Sequence, residues 1–222
     1  MKNLTHIAID GPVGSGKSTI AKLVAKELGF TYIDTGAMYR AVALHCLNTG
    51  ADVNNESEVT KALSSASINI KYNDGTQHIF LNEKDVSQDI RSLEVAQSTS
   101  KVSIINPVRE HLVQMQQNMA KDQNIVMDGR DIGTVVLPNA NVKVFLTASV
   151  DIRAARRQKD LLEKGEDVDI NKIKQEIEER DERDTNRQIS PLKQADDAKL
   201  IDTSHMSLQQ VVNAIVELCA GD

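Results

Sequence analysis

The chain has 222 residues, is 40% hydrophobic and 26% charged, and carries a formal net charge of −6, which places it among globular proteins with room for one core and insertions. The acidic balance excludes a global attraction to polyanion surfaces, and aromatics at 3% with no Trp argue against the stacking platforms used on single-stranded nucleic acid. Cys46 and Cys219 lie far apart without CxxC spacing, which excludes a zinc site or disulfide framework. The N-terminus lacks an apolar signal region and no run is long enough to span a bilayer, so a cytoplasmic location is expected.

A first strand from Thr5 to Asp10 feeds Gly11-Pro12-Val13-Gly14-Ser15-Gly16-Lys17-Ser18, and a helical pattern beginning at Ser18 follows with Ile20, Leu23, Val24 and Leu28 on one face until Gly29. Gly, four residues, then Gly-Lys-Ser is the P-loop pattern. Its glycines let backbone N–H groups surround a polyphosphate, Lys17 reaches the β- and γ-phosphates, and Ser18 ligates Mg²⁺. Gly11 to Thr19 are therefore the candidate nucleotide-binding residues, with the following helix dipole adding attraction for anions.

Thr31-Tyr32-Ile33-Asp34 reads as a second strand, and a helix starting at Thr35 puts Thr35 and Arg40 near a strand's C-terminal end, where open α/β sheets bind ligands. A short helical pattern through Val59, Leu63 and Ala66 precedes two alternating runs, Ile68–Tyr72 and His78–Leu81, joined by the hairpin signal Asn73-Asp74-Gly75. Antiparallel strands break the β-α-β rhythm, so an inserted subdomain is expected over about 50–102. Asn106-Pro107 reads as an N-cap followed by Pro at the first helical position, with Val108, Leu112, Met115 and Met119 as the apolar stripe.

Ile125–Asp128 and Val142–Leu146 return to a buried parallel sheet. Ser149 and Asp169 are expected to cap two helices broken by Gly165, Lys199–Asp202 is the last strand, and Ser207 with Gln210 forms a capping box for a final helix carrying Val211, Val212, Ile215 and Leu218.

Asp128-Gly129-Arg130-Asp131-Ile132-Gly133-Thr134 is dense in charge after a strand; alone it fits a solvated βα turn as well as an active-site loop, and Asp128 resembles a Walker-B carboxylate. Arg153, Arg156 and Arg157 share one helix face, as do Arg180, Asp184 and Arg187. Lys supplies much of the surface charge elsewhere, whereas arginine concentrates between 153 and 187, and arginine suits bidentate phosphate contact. A triphosphate loop, an insert and an arginine-rich helical hairpin follow the logic of phosphoryl transfer, which needs charge neutralisation, in-line positioning and exclusion of water.

Four motifs in order, IAIDGPVGSGKST, YIDTGAMYRA, MDGRDIGTVVLP and ERDERDTNRQISPL, make the chain resemble the bacterial cytidylate kinases, a branch of the nucleoside monophosphate kinases, over nearly its whole length. The resemblance implies a P-loop NTPase-type α/β fold: a parallel five-stranded sheet flanked by helices, an inserted α/β monophosphate-binding subdomain, and a short helical lid. The expected division of this one domain is a core over about 1–49, 103–150 and 188–222, the insert over about 50–102, and the lid over about 151–187. It implies transfer of the γ-phosphoryl of ATP to CMP or dCMP with Mg²⁺, by a monomer with no nucleic-acid or membrane partner. Thr35, Ser100, Arg109 and Asp131 match positions at the cytosine pocket. Arg40, Arg130, Arg180 and Arg187 match phosphate-facing positions, and Asp184 matches the contact to the sugar hydroxyls. Lys17, Arg130, Arg157, Arg180 and Arg187 are the candidate catalytic cations.

Three other readings are weaker. One is another P-loop kinase acting on AMP, UMP or a small metabolite; a zinc-type adenylate kinase lid would need four cysteines, and the chain has two. A GTPase needs an NKxD motif, and Asn171-Lys172-Ile173-Lys174 lacks the acid. A non-catalytic nucleotide sensor does not need intact Lys17, Ser18 and arginine clusters.

Overall fold

Ile7, Ala8 and Ile9 are almost wholly removed from solvent, as expected of a strand covered on both faces of a sheet. The structure, a computed structural model, describes residues 4–73, 76–163 and 165–220. The elements run β1 (His6–Asp10), α1 (Lys17–Leu28), β2 (Thr31–Asp34), α2 (Thr35–Thr49), α3 (Glu56–Leu63), β3 (Ile68–Asn73), β4 (Thr76–Leu81), β5 (Lys84–Asp85), α4 (Leu93–Val102), α5 (Asn106–Met119), β6 (Ile125–Gly129), β7 (Val142–Thr147), α6 (Val150–Leu162), α7 (Ile170–Asn186), β8 (Lys199–Asp202) and α8 (Leu208–Ala220). Two compact units divide the chain, one from the residues up to Tyr32 with those from Asp122 onward, the other from Ile33–Lys121.

The first unit is built on a five-stranded sheet ordered β2-β6-β1-β7-β8. β1 pairs in parallel with β6 and β7, so that Ile9 lies opposite Asp128 on one side and Val144 on the other. This register brings the end of β6 level with the end of β1, just before the glycine loop. Ile7, Ile9, Val24, Val126, Val144, Leu146, Val211 and Ile215 form its core, each such side chain stabilising by about 1.5–3 kcal/mol when fully buried. Gly29 closes α1 in the left-handed conformation. Ser149 and Asp169 cap α6 and α7 by accepting from the N–H of Ile152 and Asn171. Ser207 and Gln210 make the reciprocal bonds of the expected capping box. The α6–α7 hairpin has its own cluster of Ala154, Leu161, Ile173 and Ile177.

In the second unit α2 buries Met38, Ala41, Val42 and Cys46, and Asp34 caps it by accepting from the Ala37 N–H at 2.9 Å. β3 and β4 are antiparallel, with Ile68 opposite Leu81 and Ile70 opposite Ile79, as the alternation predicts. Asp74 and Gly75 of the expected turn lie outside the described residues. One expectation needs correction, and one helix carried no sequence signal. Asn106 is not the cap of α5: Ile105 occupies that position, and Asn106 Nδ2 instead donates to Glu110 Oε1 at 2.7 Å. A proline is tolerated throughout a helix's first turn, where N–H groups have no intrahelical acceptor, so Pro107 does not mark the boundary to the residue. The segment 93–102 is helical, although its run Gln97-Ser98-Thr99-Ser100-Lys101 is polar; burial of Val95 and Val102 settles it.

Candidate active site

The loop between β1 and α1 turns through glycines that no other residue could replace cheaply. Gly14 (φ 74°) and Gly16 (φ 86°) are left-handed, and a side chain on Gly11 would collide with the Leu146 carbonyl oxygen. Lys17 is buried and its Nζ donates to the Pro12 carbonyl at 2.9 Å. Burial, then the positive charge of Arg130, lowers its pKa to about 7; Asp128 and Asp184 oppose the shift, and Arg180 adds to it. Ser15 Oγ is buried within the loop with no partner among the described residues, and Thr19 is exposed.

Asp128 forms the floor. Ser18 Oγ donates to its Oδ2 at 2.6 Å and the Tyr32 hydroxyl to its Oδ1 at 2.8 Å, across 110 and 96 residues of sequence. Beside it, the Asp10 carboxylate accepts the N–H groups of Ile132 and Gly133, both at 2.8 Å. These bonds open a single π-turn, Ile132–Val136, in which Val136 and Leu137 donate to the carbonyls of Asp131 and Ile132. Burial raises Asp10 to about 6 despite those two bonds. Asp10 escaped the sequence reading; a carboxylate ending an otherwise apolar strand directly before the glycine loop was the signal.

Around this floor stand the cations. Arg130 Nε donates to Asp184 Oδ2 at 2.8 Å, with both side chains largely buried. Burial works to raise the Asp184 pKa, but Arg130 above all, with Arg180 and Arg187, outweighs it and holds the carboxyl below its usual value. Arg187 Nη2 lies 3.8 Å from Asp131 Oδ1, and its Nε donates to the Ser190 carbonyl at 2.6 Å. The structure thus gathers Lys17, Ser18, Arg130, Asp131, Arg180, Asp184 and Arg187 in the first unit, with Lys17 in the electrostatic field of Arg130, Arg180 and Asp184.

The arginines of α6 divide differently from their shared spacing. Arg153 and Arg156 point to main-chain carbonyls of the glycine loop, whereas Arg157 is exposed and makes no hydrogen bond or ion pair among the described residues. Helical period shows which residues share a face, not what that face meets.

Thr35, Arg40, Ser100 and Arg109 belong to the second unit. Thr35 is buried at the start of α2. Arg40 Nη2 pairs with Asp34 Oδ2 at 2.7 Å, and its buried Nε has no partner among the described residues. Ser100 Oγ donates to the Gln97 carbonyl at 2.9 Å, which leaves its lone pairs as acceptors. Arg109 is 3% exposed, donates from Nη1 to the Ser103 carbonyl at 3.1 Å, and stands over the Tyr39 ring.

A family model described as cytidylate kinase matches residues 7–220. A cytidylate kinase of Pediococcus pentosaceus is 48% identical over 98% of this chain and 96% of its own. One from Caldicellulosiruptor bescii is 49% identical over 96% and 94%. Among solved structures, shikimate kinase from Acinetobacter baumannii in complex with shikimate covers 99% of this chain and 95% of its own, with a TM-score of 0.50 and 15% identity, a likeness of fold alone.

Proposed function

The chain belongs to the cytidylate kinase family, and from that premise we propose that it transfers the γ-phosphoryl group of ATP to CMP or dCMP, giving ADP and CDP or dCDP. The observation that supports the reading is that Ser18 of the glycine loop donates to Asp128 at 2.6 Å, two residues before Arg130, whose Nε donates to Asp184 at 2.8 Å, so that the loop adjoins residues matching the monophosphate site. An oxygen of the CMP phosphate attacks the γ-phosphorus in line, and the bond from that phosphorus to the β–γ bridging oxygen breaks. The attacking oxygen is already ionised, so no general base is required. The chain's contribution is to hold both phosphates in place and to neutralise the charge spread over the transferred group.

Lys17 and the N–H groups of Gly11–Thr19, all but Pro12, hold the ATP phosphates; Arg40, Arg130, Arg180 and Arg187 hold the CMP phosphate and the group in transit; Arg157 on the α6–α7 lid adds a further cation. Ser18 and Asp128 offer a hydroxyl and a carboxylate whose oxygens lie 2.6 Å apart, a hard donor set that would suit Mg²⁺. When bound, Mg²⁺ neutralises phosphate charge. Asp131 and Ser100 accept the cytosine N4 amino group, Arg109 donates to the ring's N3 or O2, and Asp184 binds the sugar hydroxyls. Uracil would set a carbonyl against Asp131 at a cost of roughly 1–3 kcal/mol. As part of the same proposal the protein acts as a cytoplasmic monomer. A coupled ADP assay with Mg²⁺ and ATP across CMP, dCMP, UMP, AMP and GMP tests it: CMP or dCMP should be fastest, and equal or greater rates with AMP or UMP would refute it.

A further inference from the structure

The N–H groups of the glycine loop are useful to an anion only if they point at it; within the loop Lys17 Nζ and the Ser15 N–H hold the Pro12 carbonyl, which leaves the carbonyls of Val13 and Ser15 to partners outside it. Gly14 and Gly16, both left-handed, follow Val13 and Ser15. Glycine's permissive torsions let the peptide planes before them rotate. The structure shows what restrains those two planes. Arg153 Nη1 donates to the Val13 carbonyl at 3.0 Å, and Arg156 Nη1 donates to the Ser15 carbonyl at 3.4 Å.

Both arginines are themselves anchored. Arg153 is 5% exposed; its Nε donates to the Ala148 carbonyl at 2.9 Å and its Nη1 pairs with Asp181 Oδ2 at 2.6 Å. Arg156 donates to the hydroxyl and the carbonyl of Thr203 at 3.1 and 2.9 Å, and Thr203 Oγ1 lies 3.3 Å from the same Ser15 carbonyl. The backbone of α6 also lies close to the loop: a methyl group built on Gly14 would lie 3.3 Å from the Arg153 carbonyl oxygen.

A trans peptide is planar, with its C=O and N–H pointing in opposite directions. Tying the Val13 carbonyl to α6 therefore turns the Gly14 N–H away from α6, and tying the Ser15 carbonyl does the same for Gly16. We propose that Arg153 and Arg156 are positioning residues of the nucleotide site, which act on phosphate through the Val13 and Ser15 carbonyls by fixing the direction of the Gly14 and Gly16 N–H groups. Asp181 in turn aims Arg153. These two arginines thereby serve a purpose distinct from that of Arg157.

The inference rests on the reading of Gly11–Ser18 as a triphosphate cradle, and its test separates the two. Full-length Arg153→Lys and Arg156→Lys keep the positive charge but replace a fork of divergent donors with a single ammonium. Each should raise the KM for Mg·ATP about tenfold, as expected for loss of one charged hydrogen bond, while the KM for CMP stays within about twofold. Without nucleotide, the N–H residual dipolar couplings of Gly14 should change in Arg153→Lys and those of Gly16 in Arg156→Lys. Asp181→Asn, which leaves the guanidinium in place, should give a smaller change at Gly14 in the same sense. Unchanged KM for ATP in both lysine variants would mean that charge alone matters and overturns the proposal. Parallel rises in the KM for ATP and CMP, with unaltered couplings, would reduce the arginines to general stabilisers and overturn it as well. Failure of the wild-type protein to bind Mg·ATP would refute the cradle reading instead, with the nucleotide-free couplings still deciding the role of the arginines.

Discussion

Replacing Asp184 by Asn keeps the side chain's shape and an acceptor for Arg130 Nε but removes the negative charge that Arg130, Arg180 and Arg187 share. The side chains of Arg130 and Asp184 are only 17% and 11% exposed, so solvent screens their pairing weakly. A hydrogen bond to a charged partner is worth about 1.5–3 kcal/mol and a neutral one about 0.5–1.5, so the substitution should cost about 1–2 kcal/mol. The surviving acceptor keeps the loss below the roughly 3–5 kcal/mol of a buried pair broken outright. Urea denaturation at pH 7 measures it. The pH dependence supplies a second check, because Asp184 has its folded-state pKa below the usual 3.8. Its contribution is fully present above the unfolded value and is lost as pH falls through the folded value. The stability gap between wild type and Asp184→Asn should therefore hold from pH 7 to about 4 and close below that. A carbon-13 titration of the Asp184 carboxyl should report the same lowered value. No destabilisation at pH 7, or an Asp184 titrating above 3.8, would refute the account of this pair.

Lys17, held near 7 by burial and Arg130, should regain its proton when phosphate binds. Calorimetry in buffers of differing ionisation enthalpy should find greater proton uptake per Mg·ATP at pH 8 than at pH 6; equal uptake at both would contradict it. Asp131→Asn should weaken CMP by about 1–3 kcal/mol and leave ATP affinity nearly unchanged, and equal losses would move Asp131 to the phosphate site. Arg157→Ala should lower kcat by roughly ten- to a hundredfold with CMP affinity retained, whereas unchanged turnover would mark Arg157 as a solvated surface residue.

Local chemistry made much of the chain readable. Glycine spacing exposed the phosphate loop, two- and 3.6-residue periods found the strands and most helices, and side-chain caps at Ser149, Asp169 and Ser207 located helix starts, because each signal depends on neighbours within a turn or two. Where the local signal was degenerate, as at Pro107 or the polar segment 93–102, it misplaced a boundary or passed over a helix.

The rest depended on partners far away in sequence. That Ser18 faces Asp128 follows from β1 lying beside β6, a pairing set by burial of both strands rather than by either motif. That Asp10 holds the turn after Asp131 follows from the same alignment. The sequence by itself determined that this protein carries a P-loop pattern, an α/β alternation and an arginine-rich pair of helices, since those are properties of spacing. Only the tertiary structure decided that Arg153 and Arg156 meet the loop's carbonyls while Arg157 faces solvent, because one helical turn presents neighbouring side chains to quite different surroundings.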